Sequence, residues 1–387
     1  MNTTSIQSSL LQNKSIAIIG GGPVGLTLGR LLQLSGADVS VYERDAVPNS
    51  RTGGTLDIHA EDGQLALQAA GLDSRFRALA RPTAERMADE NGAILREEWP
   101  TEQNAFDRPE IDRADLNQLL LDSLLPGTVR WNHAFESLEE CDGRFRLRFT
   151  QQSDRFADIV IGANGSRSKV RPYVTGAVPF YTGTSVIEGA IPDPHTHCPA
   201  LAALVNDGNL IVRSEGKVLF CHTKANGSLE YYLSFRRSAD WFSECGLTPQ
   251  LQETAPVVQL LARELSNWHP MFHESFSATT QFTFLRITQV PLSPHREVTR
   301  PITLVGDAAH VMTPFAGIGV NMGLRGALTL ATNLTGEQFP TIEAAIRDYE
   351  AVMFDYASRA QEESALSEIA LHSEMSPEEL VAATRQG

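Results

Sequence analysis

Cysteine is scarce in this chain of 387 residues: there are four, Cys141, Cys198, Cys221 and Cys245, all far apart. That spacing excludes a CxxC redox or zinc element, and the small number argues against a disulfide-stapled secreted fold and for a reducing cytoplasm. Positive charge is also short. With 32 Lys and Arg against 47 Asp and Glu, the net charge of −15 excludes a nucleic-acid partner, because a phosphate backbone is gripped by clustered cations. No apolar run reaches the roughly 18 residues that a membrane span needs. The N-terminal residues lack a basic stretch followed by an apolar one, so no secretory leader is expected and residues 1–13 read as a frayed tail. Internal repeats and low-complexity tracts are missing as well. What remains, 42% hydrophobic and 20% charged residues, describes a globular protein long enough for two closely joined domains.

The first ordered pattern is a strand, a helix and a second strand. Residues 15–19 are apolar, Leu26, Leu28, Leu31, Leu32 and Leu34 recur at helical spacing, and residues 38–42 alternate. This is a βαβ unit, which requires a parallel sheet. Further on, Asp112 to Asp115 resembles a helix start, with Leu116, Leu119, Leu120 and Leu124 following and Pro126 and Gly127 ending the helix. In residues 144–149, three arginines alternate with Phe145, Leu147 and Phe149. Two readings fit that stretch, an anion-binding ribbon or an antiparallel strand with one wet face, and the acidic background favours the second.

From 181 to 237 short β-rich runs take over, at 184–191, 201–204, 210–213, 217–221 and 229–235, with turn signals at Asn206 to Gly208 and at Asn226 and Gly227. They predict a largely antiparallel sheet inserted into the first domain. A helix is expected around 256–265. A long final helix is expected over 341–372, with Ile342, Ala345, Ile346, Tyr349, Val352, Met353 and Tyr356 on one stripe. That stripe is core packing or, at its inner end, part of a substrate cleft.

Two glycine-rich turns carry the chemistry. Gly20, Gly22 and Gly25 sit between the first strand and its helix, where backbone N–H groups and the positive helix end form a pyrophosphate cradle. Glu43 ends the next strand 18 positions after Gly25 and Arg44 follows it. An acid there accepts from ribose hydroxyls and repels a 2′-phosphate, which fits FAD or NAD better than NADP. Almost three hundred residues later the logic repeats. The apolar run 302–305 enters Gly306 and Asp307, and Gly317 and Gly319 open another apolar helix. Asp307 at a strand end can accept from ribityl hydroxyls, and the amides near Gly319 to Asn321 can stabilise negative charge on a reduced flavin ring. Two such turns far apart can hold the two ends of one long cofactor, so FAD is expected. With a single GxGxxG, the nicotinamide would visit only transiently.

At this point the chain resembles a family. The glycine turn with Glu43 and Arg44, the run from Gly306 through Asp307, His310, Pro314, Gly317 and Gly319 to Asn321, and Arg113 before a helix together look like single-component aromatic hydroxylases of the para-hydroxybenzoate hydroxylase fold. The resemblance implies an α/β chain with a Rossmann-like FAD-binding domain of the GR2 type, an inserted antiparallel-sheet substrate domain and a C-terminal helix. On that basis residues 14–75, 100–178 and 285–340 bind FAD, residues 76–99 and 179–284 bind substrate, and residues 341–387 form a bridging helix and tail. The family's middle motif usually carries an aspartate, whereas here Gly162-Ala-Asn-Gly-Ser-Arg-Ser-Lys-Val-Arg171 places Asn164 there.

The asparagine narrows the resemblance to tetracycline-inactivating monooxygenases of the TetX type. Residues 53–59, 104–113, 313–317 and 361–364 are similar to that group as well. By similarity Glu43, Arg44, Asp57, Arg113 and Asp307 bind FAD, and the stretch from Pro314 through Gly317, Gly319 and Val320 to Asn321 lines the flavin ring. The substrate strands depart from the group. Glu188, Asn209 and Glu230 stand where a glutamine, an arginine and a histidine would face tetracycline, with Ile211 and Tyr232 beside them, and Ile318 replaces a glutamine. A site that loses such donors discriminates against its former ligand. Met312 and Phe315 are read as pocket wall or as plain core.

The implied activity is hydroxylation of a polycyclic phenol or enol, with tetracyclines as the best guess. It would use NADPH or NADH and O₂ through a C4a-hydroperoxide of the flavin, in a cytoplasmic monomer. The cofactor carries that chemistry, so no catalytic side chain is assigned. No metal is expected either, since His195, His197 and Cys198 lie in a proline-bounded loop with no fourth partner. His59 and His310 lie inside the flavin motifs and can simply brace turns. The alternatives are hydroxylation of another aromatic, a flavin reductase or oxidase, and a non-catalytic protein that binds FAD or a hydrophobic ligand. A halogenase is disfavoured because Trp99, Trp131, Trp241 and Trp268 lack its WxWxIP setting.

Overall fold

A computed structural model describes residues 10–50, 53–248, 253–293 and 297–373. They fall into two units. The first gathers the described residues of 1–80, 113–180 and 289–364, and the second those of 81–112, 181–288 and 365–387. The strand Glu110–Asp112, assigned to the first domain from sequence, thus groups with the second.

In the first unit Ser15–Ile19 becomes the central strand of a five-stranded sheet because it is apolar on both faces and can be covered on both. The order is Ile302–Leu304, Ile159–Gly162, Ser15–Ile19, Asp38–Tyr42 and Val129–Arg130, and every pair is parallel. The intervening helix Pro23–Leu34 starts on a proline, which suits a first-turn position, and buries Leu26, Leu28, Leu31 and Leu32. It packs against the helix Gly319–Thr335. A Cβ at Gly323 would come within 2.6 Å of the Val24 side chain, so glycine is what permits that approach.

Beside this layer Phe135–Cys141, Arg144–Phe149 and Gln152–Ala157 form an antiparallel sheet. Phe145, Leu147 and Phe149 face the core as their alternation predicts. The arginines of that strand meet nearby acids: Arg146 pairs with Asp154 and Glu139, Arg148 with Glu139, and Arg144 with Asp158 just past the sheet. The wet-face reading therefore accounts for them. Of the expected frayed tail, residues 1–9 lie outside the described residues, while Leu11 is buried and the first strand begins two residues after Asn13. The helix read from Asp112 onwards spans Arg113–Leu121, so Leu124 lies beyond its end.

The second unit is built on a seven-stranded sheet in which Lys217–Thr223 and Leu229–Arg236 are interior and antiparallel to their neighbours. Glu85–Ala88 joins Asn209–Ser214 in parallel and so extends the sheet. One face, carrying Leu210, Leu219, Tyr231 and Leu233, packs into a core with residues of the helices Pro199–Val205, Ala255–Glu264 and Pro270–Ala278. Residues 201–204 correct the sequence reading, which took them for strand. Pro199 opens a helix there, and alanine and leucine sustain it better than they sustain an extended chain.

The last helix spans Ile342–Leu371; its residues up to Ser364 group with the first unit and the rest with the second. In the first unit Tyr349 donates to the Leu304 carbonyl at 2.9 Å. In the second, the buried Arg213 guanidinium donates to the carbonyls of Ala370, Leu371 and Ser373, satisfying acceptors that a helix end leaves open.

Candidate functional site

In the first unit the two helix N-termini that follow the glycine turns lack a side-chain cap. The helix Pro23–Leu34 begins at Gly22 with no side-chain cap and no acid in its first turn. The helix Gly319–Thr335 begins at Ile318 in the same way. Each presents first-turn N–H groups and a positive dipole end without a capping side chain. The two starts are tied together, because Val24 packs against the Cα faces of both Gly306 and Gly323.

The three early glycines do different work. Gly20 holds φ +119°, and a Cβ there would lie 2.6 Å from the carbonyl carbon of Ala163 and 2.8 Å from Cα of Asn164. At Gly25 a Cβ would run into the carbonyl oxygen of Gly20. Gly22, by contrast, has nothing within 4 Å of its Cβ position. Gly20 and Gly25 thus serve the fold, and Gly22 leaves a cradle that a phosphate could enter. Glu43 braces the turn, its Oε2 accepting from Gly21 N at 2.7 Å and its Oε1 from Asp45 N at 3.0 Å. Arg44 is largely exposed beside it.

Asp307 is exposed, one residue past Gly306 at the end of the strand Ile302–Leu304. Its backbone, and that of Ala308, is held by a residue that sequence reading left without a role. Arg171, 3% exposed, donates to the carbonyls of Ser166 at 2.8 Å, Ala308 at 2.9 Å and Asp307 at 3.0 Å. Burial pulls its guanidinium below the ordinary arginine range. Asn164, the departure from the usual aspartate, accepts from Ser168 Oγ at 2.5 Å, and that hydroxyl accepts from Val170 N and Arg171 N. An asparagine oxygen suffices for this, so the acceptor survives without the charge.

Around the second helix start Pro314 and Gly317 are exposed, Gly319 and Val320 half-buried, and a Cβ at Gly319 would meet only Met312, at 3.9 Å. Asn321 is fully buried. Its side chain accepts from His59 N at 2.8 Å and donates to the Asp57 carbonyl at 2.9 Å, so it braces the strand Thr55–Asp57 and only its backbone is left for a ligand. Asp57 itself lies 3.0 Å from His59 Nε2. Arg113 is exposed, its stem lying where a Cβ at Gly53 would sit. Met312 belongs to a buried cluster with Met322, Tyr356 and Ala360, while Phe315 is half-buried on the turn Pro314–Ala316.

His310 is fully buried, and neither ring nitrogen has a hydrogen-bond partner among the described residues. Desolvation holds it below its ordinary value of 6.5 and does the same to His372 in the second unit. Both are therefore neutral in the fold and take up protons more readily once unfolded. The stability from this source is complete above about pH 6.5 and is lost as pH falls below it. The melting temperature is expected to drop over that range, and His310→Gln should flatten the slope. An unchanged slope in the variant would mean that His310 does not titrate on unfolding.

In the second unit the five sequence-chosen substrate residues share one sheet face, opposite the helices. Asn209, His222 and Glu230 form one cross-strand row; Ile211, Phe220, Tyr232 and Glu188 form the next. The second row is half-buried. His222 and Phe220, which sequence reading passed over, complete the face; only the strand register reveals them. His195 and His197 lie on the single turn Pro194–His197, and no group of three or more His, Cys, Asp and Glu could hold a metal among the described residues.

With this geometry in view, the known proteins fall into place. The FAD binding domain family matches residues 13–338. The chain is 28% identical to the monooxygenase asqM of Emericella nidulans, over 88% of each chain. It is also 28% identical to a 3-amino-4-hydroxybenzoate 2-monooxygenase of Streptomyces cremeus, over 87% of this chain and 82% of the relative. In fold it is similar to HpxO of Klebsiella pneumoniae, solved with FAD and uric acid, with a TM-score of 0.77 and 22% identity over 96% and 92% of the two chains. The tetracycline destructase Tet(51) is similar too, with a TM-score of 0.73 and 22% identity over 96% and 95%. Matched across its glycine turns, its middle motif and its late helix, the chain belongs to the FAD binding domain family.

Proposed function

We propose that this protein is an FAD-dependent monooxygenase that hydroxylates a phenol or enol carbon of an aromatic compound, with NADPH or NADH as reductant and O₂ as oxidant. The observation that carries this reading is the pair of uncapped helix starts, at Gly22 and Ile318, whose helices meet where Val24 packs against Gly323. The names of the asqM and 3-amino-4-hydroxybenzoate relatives support it. The reaction consumes one aromatic C–H, one O₂ and one NAD(P)H with a proton, and yields the hydroxylated ring, water and NAD(P)⁺.

Reduced FAD supplies the electrons and activates oxygen, and the chain's task is placement and protection. Gly20, Gly22 and Gly25 with the helix amides behind them would hold the pyrophosphate, and Glu43 with Arg44 the adenosine end. Asp307 would take the ribityl hydroxyls, with Arg113 and Asp57 flanking. The amides from Gly317 to Asn321, beside Pro314, would neutralise negative charge on the reduced ring, as an open helix end does for any anion. Glu188, Asn209, Ile211, Glu230 and Tyr232 would form the substrate wall, and no side chain is assigned as a general acid or base. Among polycyclic candidates tetracyclines come first to trial, through the similarity of residues 53–59, 104–113, 313–317 and 361–364.

The test is NAD(P)H consumption under ¹⁸O₂ with a panel of tetracyclines, simple phenols and anthraquinones. We expect substrate-dependent consumption and one labelled oxygen in the product. Consumption that gives only unlabelled product would point to a reductase or oxidase and end the hydroxylase reading.

A further inference from the structure

The half-buried face of the second unit's sheet ends in a polar row with more acceptors than donors. His222 and Tyr232 stack at 5.6 Å between ring centroids and 21° between planes, and Phe220 lies parallel to Tyr232 at 6.3 Å. These rings form an aromatic cluster on the sheet face. Past its edge two cations are paired with acids: Lys224 donates to Glu230 at 2.9 Å and Arg81, through Nη2, to Asp112 at 2.7 Å. Asn209 donates its amide to Glu110 Oε1 at 2.8 Å.

Three acceptors are left over. Glu110 Oε2, Asn209 Oδ1 and Glu230 Oε2 are fully covered and have no hydrogen-bond partner among the described residues, on residues that are each 7% exposed. Arg81 Nη1 is an unmatched donor in the same cluster. Burying an acceptor without a partner is costly, so a ligand that brings N–H groups to these atoms gains what the protein alone forgoes. A ligand carboxylate would instead add charge and two further acceptors beside Glu110, Asp112 and Glu230.

We propose that this wall selects a planar ring bearing an amino group and turns away the corresponding aryl carboxylate, with Glu110 and Asn209 as the specificity-determining residues. The inference rests on the reading of this face as the substrate wall of a flavin hydroxylase. Three ligands that share one ring test it: 3-hydroxybenzylamine, 3-hydroxybenzyl alcohol and 3-hydroxybenzoate, titrated into the FAD-loaded protein and followed by the shift in flavin absorbance. The amine is expected to bind at least about tenfold tighter than the benzoate, with the alcohol between them. Glu110→Gln, which replaces an acceptor by a donor, should shrink the gap to about threefold or less.

Equal or tighter binding of the benzoate, no binding of any of the three, or a gap untouched by Glu110→Gln would overturn the proposal. The wild-type order decides even if the variant fails to fold. Because these titrations need no turnover, the expected order without any hydroxylated product would leave the recognition standing and remove the hydroxylase reading. Hydroxylation with the reverse order would do the opposite.

Discussion

Gly20→Ala is expected to give a colourless protein that melts far below the wild type. The position holds φ +119°, where an L side chain is strained, and the new Cβ would press on the Ala163 carbonyl carbon and on Asn164 Cα, both within 2.8 Å. Backbone cannot swing aside as a flexible side chain can. Strain of about 1–3 kcal/mol from the dihedral alone, with the overlap added, places the loss at about 4 kcal/mol or more, in the rare upper tail of single substitutions. Gly22→Ala is the matched control, because its Cβ would meet nothing within 4 Å. That variant should melt near the wild-type apoprotein yet retain little flavin, since the methyl group enters the cradle rather than the fold. Absorbance at the flavin band after gel filtration, together with thermal melts of the apoproteins, separates the two effects. A yellow Gly20→Ala protein with an unchanged melt would refute the packing argument, and a Gly22→Ala protein with full flavin would refute the cradle.

The second large effect is expected at Arg171. Truncation to alanine leaves the carbonyls of Ser166, Asp307 and Ala308 without their donor in a buried setting. Unmet buried carbonyls at about 1–3 kcal/mol each, partly relieved by entering water, put the loss at about 3–5 kcal/mol. Flavin retention should fall with it, because the same contacts hold the backbone on which Asp307 is carried. Arg171→Lys should recover only part of the loss, since an ammonium is a single point and cannot span three carbonyls as the planar guanidinium does. Denaturant midpoints and flavin content of the two variants provide the measurement. If Arg171→Lys matched the wild type in both, charge alone would explain the residue and the bridging geometry would be irrelevant.

Much of the fold could be read along the chain because its signals are local. The strand Ser15–Ile19, the helix Pro23–Leu34 and the alternating Arg144–Phe149 each carry their periodicity within a dozen residues. The misread stretch 201–204 is short and apolar, and in so short a run periodicity does not separate a buried strand from a buried helix. Asn321 shows a different limit. Its place in a glycine-rich turn suggests a backbone amide toward the flavin ring, but not that its side-chain oxygen accepts from His59 N, 262 residues back in the chain.

The amino-acid sequence by itself determined the two glycine turns, the acid that follows the first of them and the strands that bear the proposed substrate residues, since each depends on neighbours a few positions away. Only the tertiary structure decided that Arg171 holds the Asp307 backbone, that Asn164 keeps an acceptor without a charge, and that Glu110 meets Asn209 with an oxygen left over on each. Those are pairings across tens to hundreds of residues. Nothing in a side chain's own sequence context encodes which distant carbonyl or amide will remain unmatched once water has been squeezed out.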